Sequence, residues 1–172
     1  EDVPAMGWKV IEKVPNLSHV RADSRHLEND CLRLELDETG AICSLFDKRA
    51  NRELCKEGSR INELRVYEDF PRDYDAWELS RYYKDKMWVA DEVLSTEVVD
   101  EGGRKGIRLT KPYGDSTIIQ TIYLTDGSAR IDFETRVDWH QRPQLLKAVF
   151  PLVLHANQAT YEIQFGHVSR PT

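Results

Sequence analysis

Thr117-Ile118-Ile119-Gln120-Thr121-Ile122-Tyr123-Leu124 and Ala129-Arg130-Ile131-Asp132-Phe133-Glu134-Thr135-Arg136-Val137 flank Asp126-Gly127. An Asp-Gly pair between two β-branched and aromatic runs is a strong hairpin signal, because its backbone accepts the positive φ of a tight turn. The second arm alternates with period two. Ile131, Phe133, Thr135 and Val137 are expected to point inward, and Arg130, Asp132, Glu134 and Arg136 outward.

Working outward, the same pattern recurs. Leu32, Leu34 and Leu36 alternate with Arg33, Glu35 and Asp37 as a half-buried strand. After the turn Asp37-Glu38-Thr39-Gly40, residues Ala41 to Phe46 return as its partner. Val93 to Val99 and Lys105 to Thr110 flank Gly102-Gly103, another hairpin turn. Leu146 to Leu154 is a denser apolar run, and Pro151 predicts a bulge or strand end within it. Thr160 to Phe165 alternates again through Tyr161, Ile163 and Phe165. Helix is expected only as one turn in Glu53 to Gly58 and another in Asp73 to Asp85. Many short strands separated by turn signals predict an all-β fold, an antiparallel β-sandwich or barrel. The first 25 residues differ. Gly7-Trp8-Lys9-Val10-Ile11 reads as a strand and Pro15 to Ser24 as a polar connector. Residues 1–25 are therefore expected to be the tail of a preceding small β module plus a linker, and residues 26–172 the sandwich. The start at Glu1 and the stop at Pro171-Thr172 suggest a piece of a longer chain.

Composition narrows the function. The chain has 172 residues and a net charge of −6, so phosphate neutralisation offers no drive for nucleic-acid binding. No apolar run approaches the ~20 residues of a membrane span. Cys31, Cys43 and Cys55 include no Cys-x-x-Cys pair. Counting outward from the Thr39-Gly40 turn sets Cys31 near Phe46 rather than opposite Cys43, which disfavours a disulfide. That pattern favours a reducing, cytoplasmic compartment. Asp138 and His140 share one strand face, but zinc takes three or four protein ligands, so a surface pair beside Trp139 is the expected reading.

Val66-Tyr67-Glu68-Asp69-Phe70-Pro71-Arg72-Asp73-Tyr74-Asp75-Ala76-Trp77-Glu78 holds four aromatics and five carboxylates in thirteen residues. Carboxylates accept hydrogen bonds from sugar hydroxyls, and aromatic faces cover the C–H face of a pyranose. Two readings stay open from these residues. One is a sugar-binding loop; the other is a solvated acidic loop pinned to the core by Trp77 and Tyr67.

Several segments resemble the C-terminal β-domain of glycoside hydrolase family 38 α-mannosidases, of the bacterial and cytosolic type. They are Asp2-Val3-Pro4-Ala5-Met6-Gly7-Trp8, Leu27-Glu28-Asn29-Asp30, Ser44-Leu45-Phe46-Asp47-Lys48 and Tyr74-Asp75-Ala76-Trp77-Glu78. Val137-Asp138-Trp139-His140 with Leu145-Leu146-Lys147 follows, then Ala159 to His167 and Arg170-Pro171-Thr172. The resemblance implies a galactose mutarotase-like supersandwich, truncated here. It implies a parent enzyme that is a retaining, zinc-dependent exo-α-mannosidase acting on α-linked mannose saccharides, and a homo-oligomer. The zinc ligands and the catalytic residues are expected upstream, in an N-terminal catalytic domain. No catalytic or metal role passes to any residue of this chain. The implied position of the Tyr74–Glu78 loop, near the active-site mouth, makes Tyr74, Asp75 and Trp77 the candidate substrate-binding residues. Asp75 is expected to accept a sugar hydroxyl or anchor a neighbouring domain, with Trp77 beneath it. The alternatives are a free-standing carbohydrate-binding sandwich without hydrolase activity and a purely structural interaction domain.

Overall fold

The computed structural model describes residues 6–8, 19–74, 77–101 and 103–172. Its strands, in chain order, are β1 (Arg21–Ala22), β2 (His26–Glu28), β3 (Leu32–Leu36), β4 (Ile42–Asp47), β5 (Arg52–Glu53), β6 (Glu63–Glu68) and β7 (Met87–Val89). They continue with β8 (Ser95–Glu101), β9 (Arg104–Tyr113), β10 (Ser116–Thr125), β11 (Ile131–Asp138), β12 (Gln144–Val149), β13 (Gln158–Ile163) and β14 (Gly166–Pro171). All pairings between them are antiparallel. Strands β1 to β5 form one sheet in chain order. A second sheet runs β11-β10-β9-β8, and a third β12-β6-β7. β13 and β14 pair as a separate hairpin.

The predicted hairpin forms one side of the second sheet, with β11 at its edge. β10 and β11 pair from Thr117↔Asp138 to Leu124↔Ile131, with Gly127 in the turn at φ 65°. Ile107 and Leu109 on β9, and Ile118, Ile122 and Leu124 on β10, are all but fully buried. Ile107, Leu109, Ile122 and Leu124 face Leu27, Leu32, Leu34, Leu36 and Ile42 of the first sheet in one core. Each such side chain is worth about 1.5–3 kcal/mol of apolar burial, so this face-to-face contact holds the sandwich together. A smaller core joins Ile118 to Leu64 on β6 and to Ala90, with Tyr113, Trp139 and Leu146 packed around it.

Polar groups stitch the seams. Asn62 Nδ2 donates to Gln120 Oε1 at 2.7 Å, and Gln120 Nε2 to Thr135 Oγ1 at 2.9 Å, inside the sandwich. Asn29 is 4% exposed, and its side chain makes four hydrogen bonds. Its Oδ1 accepts from the N–H of Cys31 and Leu32 at 2.9 and 2.8 Å. Its Nδ2 donates to the carbonyls of Thr125 and Ser128 at 2.7 and 2.8 Å. One side chain thus shapes the β2–β3 turn and clasps it to the β10–β11 turn. Lys111, 3% exposed, donates from Nζ to the carbonyls of Thr39 and Ala90 at 2.5 and 3.1 Å. Burial pushes its ammonium below the usual lysine range.

Some expectations need correction. Glu53 to Gly58 forms no helical turn: Arg52–Glu53 is strand β5, and Glu53 spends its carboxylate on the N–H groups of Leu45 and Cys55. The segment Asp73 to Asp85 holds one 3₁₀ turn, Tyr83–Asp85, at its end. β11 shares its inward face with β10, yet it is an edge strand. Ile131 and Phe133 are only half-buried, and Val137 is exposed. Tyr161, Ile163 and Phe165 are likewise exposed, because β13 pairs with β14 alone. The apolar run before Pro151 does end as a strand at Val149. The three cysteines are free, with Cys31 beside Lys48 across β3 and β4. The strand expected over Gly7 to Ile11, most of the 1–25 segment, Asp75 and Gly102 lie wholly or partly outside the described residues.

Candidate functional site

β6 delivers the acidic aromatic loop to the edge of the third sheet. Leu64 and Val66 point into the core, while Glu63, Arg65 and Tyr67 take the opposite face. The chain leaves the strand after Glu68. Asp69 N donates to the Pro143 carbonyl at 3.1 Å, so the loop's base is fixed to the segment before β12. Tyr67 is buried to 8% exposure, and Tyr83 packs edge-on over it at 5.1 Å. Tyr67 therefore pins the loop, as the sequence suggested.

Trp77 does not pin it. Its side chain is 86% exposed and Tyr74 is 61% exposed. Their ring centroids lie 5.9 Å apart at 30°. A local turn sets this spacing: the N–H groups of Trp77 and Glu78 both donate to the Tyr74 carbonyl, at 2.9 and 2.8 Å. Glu78 Oε2 accepts from Asp73 N at 3.1 Å and closes the turn from the other side. Two held, solvent-facing aromatic rings form a platform suited to a flat apolar face. Asp75 lies between them in sequence but outside the described residues.

The surrounding surface is richer than the motif suggested. Phe70, Leu79, Tyr82, Met87 and Trp88 are also exposed, at 42–63%. The run Arg81-Tyr82-Tyr83-Lys84 is readable in the sequence as basic residues interleaved with aromatics. Arg81 stacks over the Tyr82 ring at 4.8 Å and donates to its hydroxyl at 2.6 Å. Lys147, from β12, donates to Tyr83 Oη at 3.1 Å. That hydrogen bond, with the charges of Lys147 and Lys84, holds the Tyr83 phenol below the usual tyrosine range. At the loop's base, Asp69 Oδ1 and Gln144 Oε1 are buried oxygens that meet no donor among the described residues.

Other polar features are self-contained. A groove of about 360 Å³ crosses the outer face of the second sheet, lined by Glu101, Arg108, Thr121, Tyr123, Glu134 and Arg136. Arg104 bridges Glu134 at 2.7 Å and Glu101 at 3.4 Å, Arg108 bridges Glu101 at 3.4 Å, and Tyr123 Oη donates to Glu101 at 3.0 Å. Those charges largely satisfy one another. A cleft of about 550 Å³ beside Asn29 is closed electrically by Lys48 on Glu28 at 2.6 Å.

Asp138 and His140 do meet, with Oδ1 and Nε2 3.0 Å apart at the surface. Trp139 turns the other way and stacks on Tyr113 at 5.8 Å and 6°. Two donors fall short of the three or four that zinc requires. Among the described residues no group of three or more His, Cys, Asp or Glu side chains converges. Asp138 and His140 thus stay a surface pair among the described residues. Among them, too, no helix is long and apolar enough to cross a membrane.

Comparison with known proteins bears on the same residues. The profile described as the glycosyl hydrolases family 38 C-terminal domain matches residues 27–172. Human alpha-mannosidase 2C1 is 36% identical over 149 residues, covering 85% of this chain and 14% of its own length. Alpha-mannosidase G of Dictyostelium discoideum is 34% identical over 157 residues, again 85% of this chain and 14% of its own length. The alpha-mannosidase of Saccharomyces cerevisiae is 26% identical over 149 residues, 78% of this chain. The chain thus spans about 14% of the length of the curated relatives it matches.

Proposed function

The chain belongs to the family of glycosyl hydrolase family 38 C-terminal domains, and from that premise we propose that it serves as the β-domain of an α-mannosidase. The parent enzyme cleaves terminal α-mannosides with retention of configuration, through a carboxylate nucleophile and a carboxylic acid that protonates the leaving oxygen. Zinc and its ligands belong to a catalytic domain outside residues 1–172, as do the nucleophile and the acid. The parent works in the cytoplasm, in keeping with three free thiols, and assembles as a homo-oligomer.

The domain's own part is to present the Tyr74–Trp77 loop to the saccharide. The observation that carries this reading is the pair of exposed rings 5.9 Å apart on a loop fixed at its base and closed by its own turn. Tyr74 and Trp77 cover the C–H face of a pyranose, and Asp75 accepts a hydroxyl beside them. Because Tyr74 and Trp77 hold up none of the core, their loss should affect the sugar and leave the fold intact.

The test is kinetic. In the full-length enzyme, Tyr74→Ala, Asp75→Ala and Trp77→Ala should each lower kcat/KM for 4-nitrophenyl α-mannoside by about tenfold, roughly 1.4 kcal/mol of transition-state binding. Melting temperatures should not change. Values within twofold of the parent for all three variants would remove the loop from substrate binding. Separately, the isolated chain should bind no zinc and show no α-mannosidase turnover. EDTA-sensitive activity in the purified chain would overturn the placement of the chemistry elsewhere.

A further inference from the structure

Immediately after the aromatic platform, two ammonium groups converge on one phenol. Lys147 Nζ lies 3.1 Å from Tyr83 Oη and 4.7 Å from the ring centroid. Lys84 Nζ lies 5.7 Å from the same centroid. Arg81 stands two residues away on the Tyr82 ring. None of these three cations forms an ion pair with a carboxylate among the described residues. This is unusual in a chain of net charge −6. Nearby cations do find partners: Lys86 bonds Glu68 at 2.8 Å, and Arg65 pairs with Glu63.

The hydrogen-bond direction is informative. A lysine ammonium only donates, so Tyr83 Oη accepts from Lys147. Among the described residues the phenol's own hydrogen meets no acceptor. A phenol that accepts from a cation is a stronger donor through its remaining hydrogen. Like charges beside one phenol ring repel, and a bound anion relieves that repulsion. The donors available are one phenol hydrogen and the remaining N–H groups of two lysines. That set matches a dianion with several acceptor oxygens, and lysine binds phosphate as a point charge.

We propose that Tyr83, Lys84 and Lys147 form a binding site for the phosphomonoester of a sugar phosphate. Tyr83 is fixed by Tyr67 beneath it and by Lys147 beside it, so the cradle is set before the ligand arrives. Arg81 lies close enough in sequence to add a further positive charge at the rim.

The experiment is calorimetric titration of the intact enzyme with mannose 6-phosphate, mannose and inorganic phosphate. Mannose 6-phosphate should bind at least tenfold more tightly than mannose. Tyr83→Phe and Lys147→Met should each remove about tenfold of that preference while leaving mannose affinity unchanged. If inorganic phosphate binds as tightly as the sugar phosphate and both respond to the variants, the phosphate site stands and its source is the free anion. If mannose 6-phosphate and mannose bind alike, or the variants keep the preference, the proposal is wrong. If the variants only lower the melting temperature of the intact enzyme, the cations serve a contact with another part of the protein, and the proposal is again wrong. Turnover of 4-nitrophenyl α-mannoside, which carries no phosphate, reports separately on the parent activity.

Discussion

Asn29→Asp is the sharpest perturbation of the fold. The substitution changes one amide into one carboxylate with almost no change of shape. The Oδ1 that accepts from Cys31 and Leu32 survives, so the β2–β3 turn keeps its local bonds. The Nδ2 that donates to Thr125 and Ser128 is replaced by an acceptor. Two part-buried carbonyls then face a carboxylate oxygen at about hydrogen-bond distance. Two lost bonds cost about 1 kcal/mol each, and the buried repulsion adds about 1–2 kcal/mol. The sum is about 3–4 kcal/mol. At about 2–4 °C per kcal/mol for a chain of this size, the melting temperature should fall by about 10 °C. Thermal unfolding followed by circular dichroism measures it. Acid supplies a second check. The new carboxyl faces carbonyls, so its folded pKa is raised above its unfolded value. Its cost is therefore present at neutral pH and is relieved as pH falls through the folded pKa, when a protonated acid can donate again. The gap from the parent should narrow towards about pH 5. A variant that melts within about 1 °C of the parent at neutral pH would show that the clasp between the two turns contributes nothing.

Three further outcomes follow from particular contacts. Gly106→Ala places a Cβ 2.6 Å from the Ile122 carbonyl oxygen and 2.7 Å from the Tyr123 ring. The first is central main chain, so the cost should be about 1–3 kcal/mol in urea unfolding, and a neutral result would mean that β9 and β10 can separate freely. Asp37 accepts from Thr39 N, Thr39 Oγ1 and Ala41 N and pairs with Arg60. Burial raises its pKa, but Thr39 and Arg60 outweigh burial and hold the carboxyl below the usual aspartate range. Its stabilisation is thus present above the unfolded pKa and lost as pH falls through the folded one. Asp37→Ala should cost about 2 kcal/mol at neutral pH and progressively less in acid; a pH-independent cost would refute the assignment. Finally, Cys43 is exposed while Cys31 and Cys55 are 7% and 5% exposed. Burial, then Glu35 and Asp37, raise the Cys43 thiol's pKa, so a thiol reagent should label one site slowly without denaturant. Rapid labelling at two or more sites by mass spectrometry would contradict the burial pattern.

The strands were legible because period-two alternation reports which face of a sheet is apolar. Leu32, Leu34 and Leu36 fall on the core face, and the Asp126-Gly127 turn joins β10 to β11 in register. Alternation does not report whether a strand has neighbours. Ile131, Phe133 and Val137 alternate as well as Leu32 to Leu36 do, but β11 has a neighbour on one side only. Gln120 misleads in the opposite direction. It reads as a polar interruption of an apolar run, yet it is 3% exposed because Asn62 and Thr135 satisfy its amide. Lys111 is the extreme case: a lysine in a strand reads as solvent-facing, and two carbonyls from distant turns bury it.

The candidate site divides along the same line. The platform of Tyr74 and Trp77 was visible because its members lie within one short segment, and their spacing is set by a turn within that segment. What sequence could not supply was the direction of Trp77, since an indole beside carboxylates suits a core anchor and a surface platform equally. The phosphate cradle was hidden for a stronger reason. Arg81 to Lys84 reads as an ordinary solvated run, because basic residues beside tyrosines need no common target. It becomes a site only when β12 pairs with β6 and sets Lys147 opposite Arg65, on the face that Tyr67 and Tyr83 share. That pairing joins residues far apart in the chain, and no local period encodes it. The functional content of this domain therefore resides in the register of the third sheet as much as in any motif. A substitution that shifts β12 by one residue would turn Lys147 to the opposite face, and would abolish the cradle without altering a single residue of the loop.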